Sequence, residues 1–158
     1  MRVAGISRAL SRFQTHLNTE QAMLAGLIHD IGALPILVHG QTKDDVAQDE
    51  TRLDALLNNL GPIVGQQILE MWDFAPPMIS VCKHYNDFSY AGTAQADYVD
   101  LVIVARLQSL IGSSHPDASL DWTTIPSFEK LGLSPEIEVI EMEGVQEEVS
   151  DVSQMLLG

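Results

Sequence analysis

The sequence predicts an all-α fold of about six to eight helices, in a single compact domain over residues 1–158. Three observations predict it. Apolar residues recur at steps of three and four along most of the chain, which is the helical period. No alternating strand pattern of useful length occurs, and Pro and Gly punctuate the periodic segments. With 46% hydrophobic and 19% charged residues, the chain has a globular composition and about the length of one ordinary domain.

The first two helices are predicted from an apolar stripe and an apolar run. The N-terminal segment carries its stripe at Val3, Ile6, Leu10, Phe13 and Leu17. This stripe faces either the chain's own core or a second copy. The following run, "QAMLAGLIHDIGAL", is apolar on most sides and predicts a buried helix. We expect it to end near Gly32 to Leu34, because Pro35 disfavours helical backbone in the residue before it.

Three more helices are predicted in the middle of the chain. "QTKDDVAQDETRLDALLNNLG" reads as an exposed helix closed by Asn59 and Gly61, with an inward face at Val46, Leu53, Leu56 and Leu57. "PIVGQQILEMW" reads as a separate helix that begins at Pro62, a favoured first-turn residue. Its predicted buried residues are Ile63, Ile68, Leu69 and Trp72. "PPMISVCKHY" predicts a further short helix.

The C-terminal part is predicted to hold a central helix, a loop and a final helix. "QADYVDLVIVARLQSLIG" is apolar on several faces, which is typical of a helix surrounded by others, and Gly112 can end it. The segment after it is rich in turn-forming residues; it contains Trp122 as a loop anchor and one short helical turn after Thr124-Ile125-Pro126. A final helix is expected from about Ser134, with its apolar stripe at Val145, Val149, Val152 and Leu156.

Charge and composition exclude several classes of partner. With 22 acidic and 8 basic residues the formal net charge is −14, so a nucleic acid would be repelled. No apolar run reaches the roughly 18 to 20 residues of a membrane helix, and the N-terminus lacks a signal-peptide pattern. We therefore expect a cytoplasmic protein without a membrane partner. The single cysteine, Cys82, cannot form an internal disulfide and is expected to be a buried structural thiol.

One stretch, "AGLIHDIGALPIL", places His29 and Asp30 side by side in an apolar run. An ionisable pair in such a place is costly unless it is satisfied, so metal binding is one explanation. The stretch resembles the signature of the HDOD branch of the HD superfamily of metal-dependent phosphohydrolases, which serves bacterial signalling. The resemblance extends to "VGQQILEMWDFAPPMISVCKHYND", "ADYVDLVIVARLQSLIG" and "LGLSPEIEVI". It implies a compact HD-like helical domain with a motif framework at Gly26, Gly32, Gly65 and Trp72.

The chain departs from the family at the positions that would hold the metal. The chain is shorter than the usual domain and corresponds to its C-terminal portion. The helices that would carry the first metal histidine are therefore expected to be missing. A second histidine of the family corresponds to Gly61, and a closing His-His corresponds to His84 and Tyr85. The Ala-Asp pair that should supply the last carboxylate corresponds to Ala105 and Arg106. A fixed positive charge there would oppose a bound cation.

These departures leave His29 and Asp30 as relics, with His84 as a possible remaining ligand. Because a hydrolytic site needs several ligands around one metal, we expect no catalytic residue, no metal and no other cofactor. Arg106 is expected to replace the charge of the metal and to pair with Asp30 by two parallel hydrogen bonds.

The leading functional expectation is a non-catalytic module of bacterial signal transduction that acts through contacts with a partner protein or a regulatory domain. The alternative is a metal-dependent phosphohydrolase acting on a nucleotide or a cyclic dinucleotide. In that case missing residues or a partner chain would complete the ligands of a divalent metal. We also expect a homodimer through the N-terminal helix, with a neighbour's acidic C-terminal helix as the counterpart of Arg8 and Arg12.

Overall fold

The protein is described by a computed structural model that covers residues 1–41 and 50–157. Within these ranges the fold is all-α, as the sequence predicts, with no β-strand. The helices are α1 (Arg2–Ser11), α2 (Thr19–Ile28), α3 (Ala33–Gln41), α4 (Glu50–Met71), α5 (Pro76–His84), α6 (Tyr98–Ser109), α7 (Pro126–Lys130) and α8 (Val145–Leu157). Short 3₁₀ turns lie at Pro116–Ser119, Trp122–Thr124 and Val139–Glu141. Val46, predicted to face inward, lies outside the described residues.

The chain forms two compact units. The first unit comprises Met1–Leu27 and Asp87–Gly158, and the second comprises Ile28–Asn86. Each has buried apolar residues of its own. The prediction of a single domain over residues 1–158 stays a prediction.

The core of the first unit is built around α6, which confirms the predicted central helix. Its residues Leu101, Val102, Ile103 and Val104 are all fully buried. Helix α1 packs against both α6 and α8. A helix buried on every side, as α6 is, needs an apolar sequence all round, and the segment "YVDLVIVARLQS" is apolar on most of its faces.

Only part of the predicted N-terminal apolar stripe is buried in the core of this unit. Ile6 and Leu10 are buried, whereas Phe13 lies beyond the end of α1 and is 58% exposed. The chain's own α8 also supplies the counterpart of the two arginines. Glu148, almost completely buried, pairs with Arg8 at 3.1 Å and with Arg12. Dimerisation through α1 therefore stays a prediction, with the inward part of its stripe already covered by the chain itself.

A buried carboxylate fixes the start of α6 to α7. Asp100 accepts hydrogen bonds from Ser127 Oγ at 2.7 Å, from Lys130 Nζ at 2.5 Å and from the backbone N–H of Asp97 at 2.9 Å. Burial raises the pKa of the Asp100 carboxyl, and these hydrogen bonds oppose that rise. No pattern in the sequence predicts this network.

In the second unit the predicted helix boundary at Gly61 is wrong. Helix α4 runs unbroken from Glu50 to Met71, with Pro62 inside it. Proline in a helix leaves the carbonyl four residues earlier without its helical partner. Here that carbonyl belongs to Asn58, and Asn86 Nδ2 donates a hydrogen bond to it at 2.9 Å. A side chain from the end of the unit thus replaces the missing N–H, and the helix continues.

The predicted helix end near Gly32 to Leu34 is also wrong. Helix α2 ends at Ile28, and Pro35 is the third residue of α3. Proline is tolerated in the first turn of a helix because the N–H groups there have no intrahelical acceptor. The restriction that Pro35 places on its neighbour therefore does not stop a helix at this point.

The stretch Thr19–Gly40 is long and apolar enough to cross a membrane, by length and composition only, and it lies near the N-terminus. This differs from the expectation that no such stretch exists. One such stretch is weak evidence, since core helices and signal sequences have the same properties. The absence of a membrane partner stays a prediction.

Two tryptophans differ in their surroundings. Trp122 anchors its loop as predicted, because its Nε1 donates to the Asp117 carbonyl at 3.2 Å and its ring stacks on Phe128. Trp72 was predicted to be buried but is 59% exposed. Helix α4 ends at Met71, and Asp73 turns the backbone into the left-handed region at φ 54°. Trp72 therefore lies in the turn rather than on the buried face of the helix.

Three further predictions are wrong. Ile63 is 53% exposed, since the buried face of α4 follows the four-residue steps of Gly61, Gly65 and Leu69 and Ile63 points away from it. The final helix begins at Val145 instead of near Ser134, after a 3₁₀ turn, and Leu156 is 40% exposed near its end.

Candidate functional site

His29 and Asp30 lie in a turn between α2 and α3, not inside a buried helix as the sequence predicted. The turn is held by backbone hydrogen bonds from Ile31 N to the Ile28 carbonyl at 3.0 Å and from Ala33 N to the Asp30 carbonyl at 2.8 Å. His29 is buried, while the side chain of Asp30 is 58% exposed.

His29 packs against the ring of Tyr85. The two ring centroids lie 5.2 Å apart with an interplanar angle of 79°, which is an edge-to-face contact. Nδ1 of His29 lies 3.8 Å from Oδ1 of Asp30, too far for a good hydrogen bond. The imidazole of His29 thus packs against the Tyr85 ring and makes no close hydrogen bond to the Asp30 carboxylate.

The hydroxyl group of Tyr85 fills the space beside Gly61. A Cβ atom placed on Gly61 would lie 3.3 Å from Tyr85 Oη, which is tighter than most real Cβ contacts. Tyr85 itself is 7% exposed. Gly61 and Tyr85 are two of the positions at which the resemblance places histidines. In this chain Gly61 has no side chain, and this leaves room for the large side chain of Tyr85.

The three glycines of this region allow two backbones to cross closely. A Cβ on Gly32 would lie 2.1 Å from the Gly61 carbonyl oxygen and 2.5 Å from the Gly65 nitrogen. No L side chain fits there, so Gly32 is required by packing. In the first unit Gly26 has the same role, since its Cβ would lie 2.6 Å from Ala4 Cα. Of the predicted motif framework, Gly26 and Gly32 thus have a structural reason to be glycine.

Cys82 lies under the same turn and is completely buried. Its thiol donates a hydrogen bond to the Ile28 carbonyl at 3.1 Å. Burial, and secondarily the negative charge of Asp30, raise the pKa of the Cys82 thiol to about 12. The side chain is therefore a neutral hydrogen-bond donor and not a nucleophile, in agreement with the expected structural thiol.

Arg106 has a carboxylate partner in its own unit. Its Nη1 lies 2.7 Å from Asp117 Oδ2, and its guanidinium carbon lies 5.7 Å from the centroid of Phe88. Asp117 was not among the predicted site residues. The predicted pairing of Arg106 with Asp30 joins residues of different units and stays a prediction. His84, the possible remaining ligand, is half-buried at the end of α5.

The donor set does not fit a hydrolytic metal. Among residues 1–40 and 51–157, whose side chains the structure describes, no three His, Cys, Asp or Glu side chains are grouped so that they could hold one ion. A catalytic metal needs about three protein ligands and one open position. His29 packs against a phenol ring, and Asp30 faces solvent, so this pair is not arranged as part of such a set.

The comparison with protein families identifies the relatives of this arrangement. The model of the HDOD domain matches residues 1–88, which is more than half of the chain. The chain belongs to the HDOD domain family. The turn with His29 and Asp30, the glycine crossing and Tyr85 all lie within the matched residues.

A solved structure has a similar fold. It is that of a "Putative metal-dependent phosphohydrolase" from Shewanella amazonensis SB2B, with a TM-score of 0.75 and 22% sequence identity. The match covers 97% of this chain and 54% of the other, so this HDOD chain spans about half the length of that structure. At this identity the likeness concerns the fold alone. No curated protein matches the sequence.

Sequence reasoning noted Gly61 and Tyr85 as separate departures from the family and missed that they touch. Their spacing along the chain, 24 residues, gives no sign of a contact. A signal was available in the sequence. Compared with the histidines of the family, Gly61 is much smaller, whereas Tyr85 keeps a large ring. Such a pair suggests mutual compensation in a packed interior.

Proposed function

We propose that this HDOD domain is a non-catalytic module of bacterial signal transduction. It acts in the cytoplasm through contacts with a partner protein or a regulatory domain. The observation that carries the proposal is the contact of Tyr85 with His29 and Gly61. An aromatic ring stands beside the one buried histidine of the motif, and its hydroxyl fills the space of a second position that would carry a ligand.

The surroundings of the remaining motif residues support the same proposal. Asp30 is mostly exposed, and the Cys82 thiol stays protonated at neutral pH because its pKa is raised to about 12. Neither group is prepared to activate water or to attack a phosphate ester. What the motif retains is a packing role, in which His29 and Gly32 hold the turn against α4 and α5.

Metal content and turnover test the proposal together. The protein is purified without chelators, its divalent metals are counted, and it is then incubated with Mg²⁺, Mn²⁺ or Zn²⁺ and a panel of nucleoside phosphates and cyclic dinucleotides. We expect far less than one ion per chain and no turnover above that of His29→Ala. His16→Ala, which removes an exposed histidine of the other unit, controls for adventitious binding.

The competing activity is metal-dependent phosphohydrolysis. A divalent ion held at close to one per chain and lost in His29→Ala, together with turnover that the same variant abolishes, would overturn the proposal. Loss of metal in both His29→Ala and His16→Ala would instead indicate surface binding and leave the proposal standing.

A further inference from the structure

Helix α3 is an uncharged helix with an uncovered face. Its sequence, "ALPILVHGQ", contains no Asp, Glu, Lys or Arg. Leu34 and Val38 stand one helical turn apart and are 63% and 65% exposed. None of the apolar side chains of α3 is fully buried. A helix of this composition normally buries its apolar surface.

The neighbouring part of α4 continues the same surface. Leu60 and Ile63 are 43% and 53% exposed. Between the two helices lies a cleft of about 360 Å³ with a largely apolar lining of Pro35, Ile36, His39, Gly40, Leu56, Leu60 and Val64. The second unit therefore presents an apolar ridge, Leu34 and Val38, beside an apolar cleft.

Charge restricts what can occupy this surface. The segments 33–41 and 56–67 contain no charged residue, although the whole chain carries a net charge of −14. A basic partner would find no carboxylate within these segments to pair with. Another acidic molecule that docks on these segments likewise meets no carboxylate within them. An uncharged apolar surface is best matched by a second uncharged apolar surface. A second copy of this chain carries such a surface, because it has the same α3 and α4.

We infer that a second copy of this chain docks on the surface formed by α3 and the middle of α4. In a two-fold arrangement each copy presents the same residues, so the contact must be self-complementary. The ridge of Leu34 and Val38 on each copy can then enter the cleft between α3 and α4 of the other copy. This inference is independent of the proposed function, since it concerns assembly and not chemistry.

The size of the surface sets the expected strength. Four exposed side chains and a shallow cleft offer roughly a few hundred Å² per copy, below the size of an obligate dimer interface. We therefore expect a reversible dimer with a dissociation constant of about 1–100 µM. The surface differs from the α1 stripe that the sequence predicted for self-association.

The test measures molecular mass against concentration by sedimentation or light scattering. For the wild-type protein, the mass should rise from the 17.3 kDa of one chain toward twice that value. Val38→Glu and, separately, Leu34→Glu should raise the dissociation constant at least about tenfold, because each buries a carboxylate in an apolar contact. Both residues are exposed, and circular dichroism verifies that the variants fold.

Phe13→Glu is the matched control. It places the same charge on another exposed apolar residue, in the first unit, and should leave the dissociation constant unchanged. A protein that stays monomeric up to about 1 mM would overturn the inference. So would a dimer that survives both glutamate variants, or one that only Phe13→Glu disrupts.

A lipid surface is the other occupant that the experiment can detect. The monomeric protein is mixed with vesicles of phosphatidylcholine alone and with added phosphatidylglycerol. We expect no binding, since a chain of charge −14 is repelled by anionic lipid. Vesicle binding by a wild-type protein that does not dimerise, abolished by Val38→Glu, would assign the surface to a membrane and overturn the inference.

Discussion

The environment of a single thiol decides its reactivity. Cys82 is fully buried, and its pKa is raised to about 12, so almost no thiolate forms near neutral pH. We predict that at pH 8 a soluble thiol reagent modifies native Cys82 at least about a hundredfold more slowly than it modifies the chain unfolded in guanidinium chloride. Similar rates in both states would show that the thiol is accessible and contradict the burial.

The same raised pKa has a consequence for stability at high pH. Between the ordinary value of 9.0 and about 12, the unfolded chain has lost the Cys82 proton while the folded chain keeps it. The folded state then binds more protons, so the free energy of unfolding should fall as pH rises, by up to about 1.4 kcal/mol per pH unit. Cys82→Ala should unfold with a shallower pH dependence above pH 9, as measured by denaturant titration.

The contact between Tyr85 and Gly61 can be measured by a double-mutant cycle. Alanine at Gly61, inside α4, should gain about 1 kcal/mol of helix propensity. In the wild-type protein the new Cβ would stand 3.3 Å from Tyr85 Oη, which reduces the gain. In Tyr85→Phe the hydroxyl is absent and the gain should be recovered.

We predict a coupling of about 0.5 kcal/mol or more between these two changes, from the free energies of unfolding of the four proteins. If Gly61→Ala changes the stability equally in both backgrounds, the hydroxyl does not fill the space beside Gly61. The proposal of a filled ligand position would then lose its main support.

The turn before α3 crosses α4 at Gly32 and Gly65. The two glycines differ in how much space surrounds them. A Cβ on Gly32 would overlap backbone atoms of α4, at 2.1 Å and 2.5 Å, and these atoms belong to a regular helix and cannot move alone. A Cβ on Gly65 would meet Cys82 Cβ and the Gly32 nitrogen at 3.4 Å, which is ordinary contact. The same substitution should therefore have very different effects at the two positions.

We predict that Gly32→Ala lowers the free energy of unfolding by about 3 kcal/mol or more, whereas Gly65→Ala changes it by less than about 1 kcal/mol. Gly65→Ala is the matched control because it adds the same methyl group on the other side of the crossing. Equal losses at both positions, in denaturant titrations, would show that the two backbones are not in contact as described.

At the scale of the whole molecule, the two units differ in how much apolar surface they bury. In the first unit α6 is buried along most of its length, from Val99 to Leu107. In the second, α3 packs on α4 and has no fully buried apolar side chain. Local opening depends on the buried contacts that must be broken.

We therefore predict that the amides of α3 beyond its first turn exchange with solvent at least about a hundredfold faster than those in the middle of α6. Hydrogen exchange followed by mass spectrometry checks this at a protein concentration low enough to avoid association. Equal protection of the two helices would contradict a difference in local stability between the units.

Some of these features could be predicted from the sequence alone, because they depend on local pattern. Apolar periodicity was sufficient for the all-α fold and for the central helix α6. The run around His29 and Asp30 was specific enough to indicate the HDOD family, which the match over residues 1–88 confirms. Turn residues correctly indicated the short helix at Pro126 and the anchoring role of Trp122.

Other features were decided by tertiary structure, because they depend on partners distant in sequence. Pro62 does not end α4, since Asn86 satisfies the Asn58 carbonyl that a proline leaves open. Glu148 of the same chain pairs with Arg8 and Arg12. Tyr85 meets His29 and Gly61 only when α5 is folded against α4. A sequence pattern describes what each segment can bury or pair, but only packing determines which group it meets.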